Sequence, residues 1–411
     1  MMRWLALWAL LGTALPMVNA GDLAAAAAAG DLWKKGVREL LGSDLLRGAR
    51  FREVDASTLL LKRDAHVTLG GLSSGDVQLQ VNAETLRPYL LSTTVYNKGD
   101  DGAITKAEFE ARLADSQQKL TKLLGAEPRQ SKSSRKDTGL RLRVWEWETE
   151  NCAVRMEASA IGSGRKYSAE FIRLAIGQTK ADLARGGADD AARRADLKAN
   201  VKTSEKGNVW IYNVPMVDQG EKGYCVPASL SRVFAYYGMD GVDQHALAAL
   251  CRSTGENGTT LEGMEKALRS ISGAFHVGVT RFDWLSDKGL DSLVKKIRMS
   301  PEKITPATVA RYIQETKTLP TPIAKGFKEI KKQIDAGIPV VWAVELGVFP
   351  EPEIPQLSGK HMRLIIGYND NPTKRAIIYT DSWGARHELK MMTMGEACLI
   401  THALYVLRPK R

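Results

Sequence analysis

The sequence predicts an α+β protein in two parts: a small mixed α+β unit, then a larger one in which helices precede an antiparallel sheet. Three observations carry this expectation. Alternating runs in the first part, VQLQV (77–81), LRLRVWEWE (140–148) and CAVRMEAS (152–159), have the two-residue period of strands. A stretch at 179–207, rich in Ala, Gly, Asp, Arg and Lys and nearly free of large apolar residues, reads as a linker. Beyond it, helical spacing prevails to about residue 335 and strand-like runs follow.

Taken in order, the chain opens MMRWLALWALLGTALPMVNA. One arginine, an apolar run from Trp4 to Leu15 and a small-residue site before Gly21 have the form of a secretory signal peptide, residues 1–20, cleaved after Ala20. An ordinary buried helix is the competing reading. The run is shorter than the ~20 residues a membrane span takes. No later segment is a better candidate, so stable membrane insertion is not expected, and the location implied is periplasmic or secreted. Residues 21–30 are Ala/Gly-rich and are expected to fray. The first unit, 31–178, includes a helix at 105–124, where Thr105 and Glu108 form a capping box and Phe109, Leu113, Leu120 and Leu124 make an apolar stripe. Glu150-Asn151 is a plausible hairpin turn. Residues 97–108, NKGDDGAITKAE, have Gly102, Ile104 and Glu108 at EF-hand offsets, but Asn97 and Gly99 stand where ligands belong; a loop into a capped helix explains the stretch as well.

In the second unit, 208–411, helices are expected at 225–237, about 243–251, 260–270 behind a Thr259–Glu262 capping box, 306–316 and 323–335. Gly337 closes the last, and the runs PVVWAVEL, HMRLIIGY, AIIYTDSW and HALYVLRP read as strands.

The net charge of +11 is spread along the chain with no basic stripe. The densest cluster, Arg129 to Arg143, lies in a Ser-rich loop, so a nucleic-acid partner is not expected. The four cysteines show no CxxC or CxxH spacing, and neither a metal nor another cofactor is implied. Cys251 and Cys398 are the only disulfide pair open to the second unit if Cys225 stays a free thiol; unpaired buried thiols fit equally well.

Cys225, His361 and Asp381, with Gln219 six residues ahead of the cysteine, form the chemical constellation. A thiol needs its pKa lowered to act as a nucleophile, and a helix N-terminus and a neighbouring imidazolium both do this. Cys225 opens the 225–237 helix, with Pro227 in the first turn, Leu230, Val233, Phe234 and Tyr237 at helical spacing, and Gly238 at its end. His361 would act as base and acid, Asp381 would orient it, and the Gln219 amide with the Cys225 backbone N–H would receive an oxyanion. A lone cysteine, histidine or aspartate is more often structural; the joint arrangement favours the catalytic reading. His387, near Asp381 in sequence, is the one alternative to His361 as base.

The segment 214–238, VPMVDQGEKGYCVPASLSRVFAYYG, resembles the active-site region of papain-like cysteine peptidases, most closely the C39-like branch. GKHMRLIIGYND is similar to that family's histidine strand. DSWG resembles its Asn-Ser-Trp-Gly, with Asp381 in place of asparagine as C39-like members have it, and IDAGIPVVW resembles its helix-Gly-x-Pro-strand passage. The resemblance covers about 208–409. It implies a papain-like fold for this half and a Cys225–His361–Asp381 triad with Gln219 at the oxyanion, acting on a protein or peptide substrate, with Trp383 shielding the His361–Asp381 bond. The motif around Cys225, Lys222-Gly223-Tyr224-Cys225-Val226, lacks the family's first cysteine and its tryptophan. A catalytically silent module that binds a peptide or partner, and a thiol acyl- or amide-transferring enzyme, share the same residues.

Overall fold

The computed structural model describes residues 21–410, except 47–48, 50, 56–57, 63–66, 83, 132–141, 186–195, 221–222, 240–242, 255–257, 273–275, 298, 317, 352–353 and 355–357. Residues 1–20, read above as a signal peptide, and most of the basic loop cluster therefore lie outside the described residues. The fold is mixed α+β, with two antiparallel sheets of eight strands each.

The first sheet has β1 (Phe51–Asp55), β2 (Thr58–Leu61), β3 (Val77–Val81), β4 (Pro88–Asn97), β5 (Arg129–Ser131), β6 (Leu142–Glu148), β7 (Ala153–Ile161) and β8 (Ser168–Gly177) in the order β1-β2-β3-β4-β8-β7-β6-β5. The β6–β7 hairpin turns at Glu150-Asn151, with Glu148 paired to Ala153. Three short helices, α1 (Leu23–Ala28), α2 (Asp31–Lys34) and α3 (Val37–Gly42), join this core. The Ala-rich segment is thus not a frayed arm. Asp22 caps α1, and Leu23, Ala24 and Ala27 are fully covered, because small side chains let a helix lie close to its neighbours. After β4 come α4 (Lys98–Asp101) and α5 (Lys106–Leu124), the latter closed at its N-terminus by the Thr105–Glu108 box. Helix α6 (Lys180–Arg185) falls in the stretch read as a linker but packs against β7 and β8.

The second sheet holds β9 (Val201–Thr203), β10 (Asn208–Ile211), β11 (Val277–Phe282), β12 (Val340–Leu346), β13 (Gly359–Asn369), β14 (Ala376–Thr380), β15 (Lys390–Thr393) and β16 (Thr401–Pro409). Its path is β11-β16-β12-β13-β10-β9, with β14 on β13 and β15 beyond it. Leu197 packs into this core and β9 pairs with β10, so the unit begins earlier than residue 208. The sequence hides this because β9, Val-Lys-Thr, is too short and polar to show a period. Helices α7 (Cys225–Tyr236), α8 (Gln244–Cys251), α9 (Leu261–Ile271), α10 (Asp287–Val294), α11 (Pro306–Glu315) and α12 (Thr321–Asp335) precede β12, and α13 (Met394–Ile400) lies between β15 and β16. The cap of α9 is Thr260, whose side chain accepts from the Gly263 N–H; Thr259 instead bonds the Ser253 hydroxyl. Gly337 ends α12 at φ 72°, where an added Cβ would lie 2.0 Å from the Leu197 carbonyl oxygen.

Candidate active site

Helix α7 starts at Cys225 for local reasons. The Tyr224 carbonyl accepts the first intrahelical bond, from Ala228 N–H at 2.8 Å, and Pro227 sits where its missing N–H costs nothing. At the far end Gly238 takes φ 65° and terminates the helix. Val226 through Phe234 are buried, whereas Cys225 is partly exposed. The thiol therefore lies at the positive end of a helix that cannot shift without breaking a core.

Helix α7 docks on β13 through Ser229, whose hydroxyl donates to the Met362 carbonyl at 3.2 Å. That brings Cys225 beside His361, the residue before Met362. Burial alone would push the Cys225 thiol up. A hydrogen bond and the charge of His361, with backbone bonds from Met362 and Val226, outweigh it and hold the thiol below its ordinary range. Burial likewise opposes charge on His361, but its bonds to Asp381 and Cys225 raise it to about 9. The two shifts favour a thiolate–imidazolium pair. By contrast Cys251 and Cys398 are pushed up to about 12 by burial, Cys152 is also raised by burial, and all four cysteines are free thiols. Cys251 and Cys398 form no disulfide.

Asp381 follows β14, its backbone N–H donating to the His387 carbonyl at 3.0 Å. Its Oδ1 faces His361 Nε2 at 3.2 Å and also accepts from Arg363 Nε at 2.8 Å. Burial disfavours its charge, but the His361 bond and the Arg363 and Lys390 cations hold the carboxyl down at about 2. Arg363 is itself fully buried between carboxylates: Nη2 donates to Glu351 at 3.1 Å, and Glu351 accepts from the Tyr379 hydroxyl. Trp383 stacks on the His361 ring, centroids 4.3 Å apart and planes 13° apart, and so covers one face of it.

Gln219 is held at its backbone and its side chain by one residue of the DSWG turn. Its backbone N–H donates to the Ser382 carbonyl at 2.8 Å, and the Ser382 hydroxyl donates to its Oε1 at 2.7 Å. With Oε1 facing Ser382, the amide nitrogen is the end turned the other way. Buried Arg232 joins α7, which carries Cys225, to the segments of Gln219 and Asp381. It donates to the Pro215 carbonyl, the Asp381 carbonyl and Thr380 Oγ1, each at 2.7 Å. An apolar core tolerates this guanidinium because three acceptors meet it.

The structure thus brings Cys225, His361, Asp381 and Gln219 together. His387 sits edge-on to Trp383 at 5.5 Å, and the imidazole facing Asp381 is that of His361. His402 pairs with Glu345 at the surface, and His245 lies against Tyr224. Sequence reasoning missed Arg232, Arg363 and Ser382. The two arginines had a visible signal, a cation inside an otherwise apolar helix face and an otherwise apolar strand. Ser382 lies within DSWG, but its bond to Gln219 spans 163 residues.

Among the described residues no group of His, Cys, Asp and Glu could hold a metal ion, and no helix is long and apolar enough to cross a membrane. Residues 211–399 match the sequence profile described as the Peptidase_C39 like family. A search of curated proteins returns no match to the chain.

Proposed function

Because residues 211–399 belong to the Peptidase_C39 like family, we propose that the chain is an exported cysteine peptidase that hydrolyses peptide bonds through Cys225, His361, Asp381 and Gln219. The observation that carries this reading is geometric: Cys225 opens α7 beside His361, whose Nε2 faces Asp381 Oδ1 at 3.2 Å, and the lowered thiol and raised imidazole agree with it. Export rests on the form of residues 1–20.

In this mechanism the Cys225 thiolate attacks the scissile carbonyl carbon, and the carbonyl electron pair moves onto oxygen. The Gln219 side-chain amide and the Cys225 backbone N–H would receive that oxyanion; one such donor is worth roughly 10²–10³ in rate. The C–N bond breaks as imidazolium His361 gives its proton to the leaving amine, leaving a thioester on Cys225. Neutral His361 then takes a proton from water as it attacks the thioester, and collapse releases the carboxylate product and restores the thiolate–imidazolium pair. Asp381 holds the ring and favours its charged form throughout.

The test is labelling with a peptidyl electrophile, located by mass spectrometry. The expected adduct sits on Cys225 and disappears in His361→Ala. No adduct on the folded wild-type protein would instead support a silent peptide-binding module.

A further inference from the structure

The segment that carries Gln219 and leads into Cys225 is gripped by the first sheet at three points. At one end Met216, three residues before Gln219, is buried against Leu60 of β2. At the other, Tyr224, immediately before Cys225, is 2% exposed and donates its hydroxyl to Asn97 Oδ1 at 3.0 Å. Between them runs an indirect link. Arg173 of β8 pairs with Glu157 and with Asp243, the cap of α8. The next residue, Gln244, donates from Nε2 to the Asp218 carbonyl at 3.1 Å, and Asp218 adjoins Gln219. A small apolar cluster, Leu142, Val144 and Phe171 against Ala246 and Ala249, seals α8 to the same sheet.

The Tyr224 contact is built, not incidental. Asn97 is 1% exposed and held by its own turn: its amide nitrogen donates to Asp100 at 2.9 Å, and its backbone N–H donates to Asp101 at 2.8 Å. Its Oδ1 accepts from both Gly99 N–H and Tyr224. A Cβ at Gly99 would lie 2.4 Å from the Tyr224 hydroxyl oxygen and 2.6 Å from its Cζ. This explains the odd feature of the 97–108 stretch. Glycine stands where a calcium loop would carry a ligand because the Tyr224 ring occupies that space, and Glu108 is engaged in capping Thr105.

We propose that the first sheet is a fixed part of the active site, with Asn97 and Gly99 as positioning residues that set Cys225 through Tyr224. This rests on the catalytic reading above. Tyr224 is the N-cap of α7, so a displaced ring moves the helix N-terminus and the thiol with it. The sheet is then neither a cover to be removed nor a loosely tethered accessory.

The experiment compares full-length wild type with Gly99→Val, Asn97→Ala and, as control, Glu84→Ala on the exposed surface of the same unit. Alkylation of Cys225 by iodoacetamide is followed by mass spectrometry across a pH series, with circular dichroism as the check on folding. Since a misplacement of ~1 Å can cost ~10²-fold in rate, alkylation near neutrality should slow at least about tenfold in Gly99→Val and Asn97→Ala. The thiol pKa should move back toward that of an ordinary cysteine, and kcat should fall more than KM rises. The control should match wild type. Fast wild-type alkylation left unchanged in folded Gly99→Val and Asn97→Ala would overturn the proposal while sparing the catalytic reading. If Gly99→Val does not fold, Asn97→Ala, which removes the Tyr224 acceptor together with the side-chain bonds to Gly99 and Asp100 but adds no bulk, decides alone. A wild-type thiol that titrates as an ordinary cysteine would contradict the catalytic reading and the proposal together.

Discussion

Asp381 Oδ1 serves two cations at once, His361 at 3.2 Å and Arg363 at 2.8 Å. Arg363 keeps the carboxylate ionised, and the carboxylate raises His361 in turn. The sign of the pH dependence follows. Cys225 is lowered, so the thiolate exists above its shifted pKa; His361 is raised, so the imidazolium persists up to about 9. The working ion pair occupies the window between, and because the two groups interact, the observed limbs belong to the pair. Activity should therefore rise with pH through the lowered thiol value and fall on approaching about 9. Asp381→Asn removes a charge that holds His361 up, so its alkaline limb should move to lower pH while activity falls less than in Cys225→Ala. A pH–rate profile of the two proteins checks this; an unmoved limb would show that Asp381 does not support the imidazolium.

At the scale of elements, α7, the 211–224 segment and the DSWG turn are joined by Arg232 and by the Ser382–Gln219 bond. Ser382→Ala removes one bond that orients the Gln219 side chain. The expected outcome is a lower kcat with little change in KM, smaller than the roughly 10²–10³ loss that follows removal of an oxyanion donor. Steady-state kinetics beside Gln219→Ala measures it, and a kcat as high as wild type would remove Ser382 from the account. The legibility of these elements followed their local signals. Helix α7 was readable because Pro227, the apolar spacing and Gly238 agree over 12 residues, and β13 and β14 because they are long apolar runs. Strand β15, where exposed Met391 and Thr393 flank buried Met392 behind a lysine, has no such run, and α13 is a seven-residue helix opened by its capping box. Arg232 and Arg363 were visible as anomalies, but their acceptors lie up to 149 residues away, a distance no local pattern spans.

At the scale of the molecule, two sheets with separate cores meet at the segment that carries Gln219 and leads into Cys225. The sequence showed two units because the hydrophobic pattern lapses between them. It could not show how they meet, since the contacts Tyr224–Asn97, Arg173–Asp243 and Met216–Leu60 join residues far apart in the chain. Nor could it show that the polar stretch after residue 178 contributes α6 to one unit and Leu197 and β9 to the other. The central claim, that this assembly hydrolyses peptide bonds through Cys225, is tested most directly by exposing a peptide library to full-length protein and to Cys225→Ala. The account predicts cleavage products from wild type and none from the variant, with both proteins equally folded. Equal cleavage by the two would contradict it.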